Sequence, residues 1–116
     1  MTREKVFNMK FSKVYLCLVN KALKKGRTRA EVDEVTSWLT GYRAEQISQM
    51  EHSDITYQEF FEQAPQLNDN RKCIKGKICG IRIESIEDPL MQNIRYLDKL
   101  VDELAKGRPI EKILQF

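Results

Sequence analysis

The stretch Asp88-Pro89-Leu90-Met91-Gln92-Asn93-Ile94-Arg95-Tyr96-Leu97-Asp98-Lys99-Leu100-Val101-Asp102-Glu103-Leu104-Ala105-Lys106, closed by Gly107, decides how the rest of the chain is read. Asp88 is a helix N-cap, and Pro89 takes the first helical position, where a missing N–H costs nothing. Leu90, Ile94, Leu97, Val101 and Leu104 recur at spacings of four, three, four and three, which on a 3.6-residue helix is a single stripe. Met91 and Leu100 widen that stripe beyond a bare two-helix seam, so burial in a core is the first expectation and a dimer seam the second. Asp102 and Lys106 form a favourable i,i+4 pair near the end, and Gly107 stops the helix. Pro109 then opens a last turn in which Ile110, Ile113 and Leu114 face inward.

Working back towards the N-terminus, the same grammar repeats. Phe11, Val14, Tyr15, Leu18, Val19 and Ala22 mark one face of a helix running to Lys25, with Gly26 as its stop. Thr28 with Glu31 three residues on is a capping box, which starts a helix to Thr40 that buries Val32, Val35 and Leu39, with Trp38 on its flank and Gly41 as its stop. A short helix from Arg43 to Glu51 buries Ile47 and Met50. Thr56 and Glu59 form a second capping box, with Ile55 placed to staple onto Phe60, and that helix ends near Ala64 before Pro65. Residues 66–71 have turn composition.

Residues 72–86 are ambiguous. Ile74, Ile78, Ile81 and Ile83 suit a strand by propensity, whereas positions 74, 78 and 81 are also helically spaced. Gly76 and Gly80 weigh against a helix by about 1 kcal/mol each relative to Ala. We expect an extended segment over about 72–84, pairing as a small hairpin, with residues 5–9 or a second copy of the chain, because a lone strand leaves its backbone unpaired. The fold expected is mainly α: a compact single domain over residues 1–116, a bundle of about five to six helices with that one extended piece.

Composition narrows the function classes. The chain has 116 residues, is 41% hydrophobic and 32% charged, and contains 5 Gly and 3 Pro, the balance of a folded domain rather than of a disordered or repetitive one. The longest apolar run, residues 14–19, is far short of the roughly 20 residues of a membrane span, and the charged start leads into no secretory leader, so no membrane partner is expected. Cys17, Cys73 and Cys79 have neither CxxC spacing nor the density of a disulfide framework, which fits a cytoplasmic protein.

Charge is unevenly spread: residues 1–29 carry +8, residues 30–70 carry −8 and residues 71–116 carry +3. Lys21, Lys24, Lys25, Arg27 and Arg29 form a basic cluster able to contact nucleic-acid phosphates, and Arg71, Lys72, Lys75, Lys77 and Arg82 form another. The plainer reading is that basic segments pair with the acidic middle of the same molecule or of a partner subunit. Helix, Gly41 and helix resemble helix-turn-helix spacing loosely, but residues 43–51 carry one Arg and two Gln against two Glu in an acidic segment, a poor base-reading surface.

Catalytic chemistry is thinly represented. His52 sits in a polar stretch and reads as a solvated loop residue, and no Ser–His or Cys–His pair can be argued. Cys17, His52, Cys73 and Cys79 match no zinc-ligand spacing, so no metal and no cofactor is expected, and no phosphate loop is present. Cys79, beside Gly80 and near Lys77 and Arg82, is the thiol with an electropositive neighbourhood. Trp38, Tyr42, Cys79, Arg82, Arg95 and Tyr96 are the polar and aromatic groups that could converge on a pocket.

Several strings are familiar together: Lys24-Lys25-Gly26-Arg27-Thr28, Trp38-Leu39-Thr40-Gly41-Tyr42, Glu59-Phe60-Phe61, Glu87-Asp88-Pro89-Leu90-Met91 and Arg95-Tyr96-Leu97-Asp98-Lys99-Leu100. Over nearly its whole length the chain resembles the bacterial domain of unknown function family 2200, with Lys75 and Lys77 more basic than the resemblance leads one to expect. The resemblance implies a small bacterial cytosolic protein and carries over no catalytic residue. Three classes of function remain in play. First is a non-enzymatic interaction module acting as a homodimer. A nucleic-acid-binding accessory protein using the first basic cluster is the second, and a small enzyme or ligand binder is the third.

Overall fold

The computed structural model describes residues 3–78 and 80–115. Among them the chain is mainly α: seven α-helices, α1 (Arg3–Phe7), α2 (Phe11–Leu23), α3 (Arg29–Thr40), α4 (Ala44–Glu51), α5 (Tyr57–Glu62), α6 (Pro89–Ala105) and α7 (Ile110–Ile113), with one two-stranded antiparallel sheet.

The starts are where side-chain chemistry puts them. The Thr28 hydroxyl accepts from the Glu31 N–H while Glu31 Oε1 accepts from the Thr28 N–H at 3.0 Å, so two orphan donors of α3 are satisfied reciprocally. Thr56 and Glu59 repeat this at α5, and Asp88 accepts from the N–H groups of Leu90 and Met91 at α6. At the end of α3, Gly41 turns left-handed (φ 82°), and a Cβ there would stand 2.9 Å from the backbone N and O of Gln66. Only glycine fits both demands. The loop lies so close because Gln66 and Asn68 donate their N–H groups to the carbonyls of Thr40 and Leu39.

Helix α6 is the central post. Ile94, Leu97, Leu100, Val101 and Leu104 are all buried, and α2 and α3 both pack against it. The stripe on α6 is therefore spent on the chain's own core, the first of the two expectations for it. Phe11, Tyr15, Ala22, Val32, Val35 and Leu39 supply the facing surface, while Val14, Met50 and Leu90 are half-buried at its edge. An aromatic cluster closes one side: Phe60 stacks on Phe11 at 4.1 Å and on Tyr42 at 4.8 Å, and Phe61 meets Phe60 edge-on.

Four boundaries differ from the sequence reading. Helix α2 ends at Leu23, with Lys24–Gly26 forming a turn, and α5 ends at Glu62, two residues short of Ala64. Of the extended segment expected over 72–84, only Lys77–Ile78 (β1) and Ile81–Arg82 (β2) pair, with Ile78 opposite Ile81; residues 69–73 and 83–85 are 3₁₀ turns. Gly80, at φ 78°, reverses the chain within two residues, so the strand finds its partner in its own continuation. Residues 5–9 are not that partner, since α1 is helical. Instead Lys10 forms an antiparallel bridge with Thr56, the Phe11 N–H donating to the Ile55 carbonyl and the Tyr57 N–H to the Met9 carbonyl. That bridge clamps the start of α2 to the start of α5. Among the described residues, no helix is long and apolar enough to cross a membrane.

Candidate functional site: an apolar pocket with an unpaired polar end

A pocket of about 510 Å³ opens between α1, α2, α5, β2 and α6. Its walls are Val6 from α1 and Met9 from the turn after it, Val14 from α2, Ile81 and Ile86 from the hairpin and its exit, and Met91 and Ile94 from α6. These positions follow from local structure. The Lys10–Thr56 bridge brings Met9 beside Tyr57, and Met91, Arg95 and Asp98 lie on one face of α6 at i, i+4 and i+7. Exposed Cys17 and Ile81 stand at the rim.

The polar end is built by Tyr57, Arg95 and Asp98. Tyr57 is 1% exposed, and its hydroxyl has no hydrogen-bond partner; Arg95 Nε is likewise buried and unpaired. Arg95 does hold Asp98, donating from Nη1 to Oδ2 at 3.1 Å. Burial pushes the Tyr57 phenol well above its ordinary range, and the field of the Asp98 carboxylate adds to the push. Burial also lifts the Asp98 carboxyl, against the pull of the Arg95 guanidinium. An unsatisfied buried hydroxyl costs about 1–3 kcal/mol, so these two unpaired groups, sealed from solvent, are a local cost to the fold.

The residues expected to converge on a pocket do not do so as a group. Arg95 lines the apolar pocket. Trp38 lines a separate polar cleft with Gly41, Gln66, Asn68, Asp69 and Asn70. Tyr42 is buried and donates to the Phe60 carbonyl at 2.7 Å, Tyr96 is buried in the core, and Arg82 is exposed on the hairpin with Glu84 at 3.9 Å. Cys79 lies outside the described residues. Sequence reasoning missed Tyr57, Asp98 and Cys17. Arg95 and Asp98 at i,i+3 on α6 are a legible pair, but Tyr57 reaches them only through the fold.

Most of the first basic cluster is engaged within the chain. Lys21 pairs with Asp102 at 3.2 Å. Arg27 binds Glu31 and donates to the carbonyls of Leu104 and Arg108, at 3.2 and 2.6 Å, tying α3 to the end of α6. Arg29 pairs with Asp33 and Glu51 and lies over the Tyr15 ring. Lys24 and Lys25 are exposed and have no ion pair among the described residues. In the second cluster, Arg71 donates to Asn93 and to the Asn68 carbonyl. His52 is exposed at the end of α4, Nδ1 lying 2.8 Å from the Ser48 carbonyl. Cys17 and Cys73 are free thiols on the surface. Among the described residues, no three His, Cys, Asp or Glu side chains gather closely enough to hold a metal.

Comparison with known proteins gives kinship without an activity. No curated protein matches the chain significantly. A solved structure, titled "Crystal structure of uncharacterized protein SP1917", is similar at a TM-score of 0.94 and 51% identity, covering 98% of this chain and 93% of that one. The model of the family described as "Uncharacterized protein conserved in bacteria (DUF2200)" matches residues 5–115. Agreement over that length, in sequence and in fold, makes this chain a member of that bacterial family.

Proposed function

We propose that the protein binds a small, largely apolar molecule in the pocket between α2, α5 and α6. One observation carries this reading: a cavity of about 510 Å³ is walled mainly by apolar side chains, Val6, Met9, Val14, Ile86, Met91 and Ile94, with the Arg95–Asp98 ion pair as the charged part of its lining. A cavity of this size falls in the range of small-molecule sites, which are apolar with a few placed polar groups. The test is titration with an apolar naphthalene fluorophore. It should bind the wild-type chain one to one and Met91→Trp much more weakly, because the larger side chain narrows the cavity, while circular dichroism confirms that the variant is folded. Unchanged binding in Met91→Trp would remove this pocket from consideration.

A second reading, a homodimer formed through α2, has its own support: Leu16 and Leu23, two turns apart on one helix face, are 56% and 50% exposed. Light scattering should then show a dimer whose dissociation is promoted by Leu16→Glu, and a strict monomer at high concentration discards it. The nucleic-acid reading is left with Lys24 and Lys25 as its accessible pair, and two phosphate contacts predict only a shallow salt dependence. The surface thiols and the lack of Cys pairing motifs support a cytoplasmic setting.

A further inference from the structure

We infer that the pocket takes a single-chain amphiphile whose tail lies in the cavity and whose phosphate head lies outside it, on Lys24 and Lys25. The inference rests on the pocket reading above and deepens it. It starts from one edge of α2. Val14, Cys17, Lys21 and Lys24 follow at i, i+3, i+7 and i+10, so they stand one above another over about 15 Å of helix. Val14 and Cys17 wall the apolar cavity. Cys17 also lines a second, smaller cleft of about 370 Å³, whose other walls are Asn20, Lys21, Lys24 and Lys25. The two hollows therefore meet at the exposed Cys17 side chain, one apolar and the other basic.

The head follows from which charges are still unspent. Inside the cavity Arg95 and Asp98 are paired, so the charged part of the lining sums to zero and draws no head inward. In the basic cleft Lys21 is held by Asp102 at 3.2 Å. Lys24 and Lys25 are exposed and have no ion pair among the described residues. Two neighbouring ammoniums are matched by a phosphate monoester, which carries about −1.5 to −2 at neutral pH, whereas a carboxylate brings a single charge. Lysines also meet phosphate as point charges, without the planar fork that selects a carboxylate. The negative end of the α2 dipole lies here too. Its carbonyls on Asn20, Ala22 and Leu23, however, already accept from the N–H groups of Lys24, Lys25, Gly26 and Arg27, which leaves the ammoniums to set the local field.

The experiment is an NMR titration of the full chain with octyl phosphate, octan-1-ol and octyltrimethylammonium, each kept below micelle formation, at about 50 and about 500 mM salt. Octyl phosphate is expected to shift the resonances of Val14, Met91 and Ile94 together with those of Lys24 and Lys25. At the lower salt it should bind about fivefold to tenfold more tightly than the alcohol, the range of two exposed ion pairs, and the margin should shrink at the higher salt. Lys24→Gln combined with Lys25→Gln, both on exposed side chains, should bring octyl phosphate down to the level of the alcohol and leave the alcohol unchanged. Equal binding of phosphate and alcohol, tightest binding of octyltrimethylammonium, or a phosphate preference that survives the double substitution keeps the pocket and overturns the head site. Phosphatidylglycerol vesicles that sediment the protein, while monomeric octyl phosphate leaves Met91 and Ile94 unshifted, overturn it in favour of a membrane surface. Binding of none of the three overturns the pocket and the head site together.

Discussion

Tyr15 and Tyr57 belong to the same aromatic cluster, both touching Phe11, and are buried alike at 0% and 1% exposure, but their hydroxyls are treated in opposite ways. The Tyr15 hydroxyl donates to Asp33 at 2.5 Å and lies 3.2 Å from the Thr36 hydroxyl, which itself donates to the Val32 carbonyl. The Tyr57 hydroxyl has no hydrogen-bond partner among the described residues. The two ends of one cluster thus differ in whether a buried hydroxyl is satisfied, the Tyr15 end being closed and the end at Tyr57, which lines the cavity, carrying the cost of one that is not.

The largest effect should come from the residue that the two ends share. Phe60→Ala removes a fully buried ring stacked on Phe11 and Tyr42 and should destabilise the fold by about 3–5 kcal/mol in urea unfolding. A loss under about 1 kcal/mol would mean that the cluster does not act as a unit. Next comes the contrast itself. Tyr15→Phe strips Asp33 and Thr36 of a buried partner and should lose about 1–2 kcal/mol, whereas Tyr57→Phe in ligand-free protein should leave stability unchanged or raise it, because the hydroxyl removed was unpaired. Equal losses in the two variants would break the comparison. At the closed end, Thr28→Ala deletes the α3 capping box and should lose about 1 kcal/mol, visible as a lower Tm.

The smallest expected effect is one of pH. Hydrogen bonds from the Arg27 side chain and then from the Thr28 backbone hold the Glu31 carboxyl down at about 2, against an ordinary 4.5. A carboxyl lowered by folding contributes stability that is fully present above about 4.5 and is lost as the pH falls towards about 2. Thermal melts from pH 5 down to 2 should therefore fall less steeply for Glu31→Gln than for the wild type. The difference should be modest, because water screens a pair so near the surface. Parallel profiles would show that the Arg27–Glu31 contact contributes nothing to the closed end.

Much of this architecture was legible, because its signals are local. Thr28 with Glu31, Thr56 with Glu59, and Asp88 before Pro89 announce three helices within four residues each, and Gly41 announces an end. The stripe on α6 was legible as a stripe, but its partner was not, since a periodicity says that a face is buried and not by what. The hairpin at residues 77–82 was within reach through Gly80, yet β-propensity over 72–86 overstated its length, because the turns at 69–73 and 83–85 satisfy the backbone locally. The pocket was beyond sequence reasoning. Tyr57 comes beside Arg95 and Asp98 through the backbone bridge between residues 10 and 56, and that its buried hydroxyl goes unpaired is set by the fold, which no local signal carries. Arg95 was singled out among the candidates, although its expected companions Trp38, Tyr42 and Tyr96 point elsewhere.

The place of α6 in the chain has a consequence for how the molecule comes into being. Helices α2 and α3 both rest on a post spanning residues 89–105, so during synthesis the first three-quarters of the chain emerges before the faces that α6 covers can be buried. Their burial waits for the last quarter of the chain to clear the ribosome, and Arg27 reaches its carbonyl partners on Leu104 and Arg108 only at the end. A chain released at residue 88 should be protease-sensitive throughout, and adding residues 89–116 as a separate peptide should restore protection to Phe11, Val32 and Leu39.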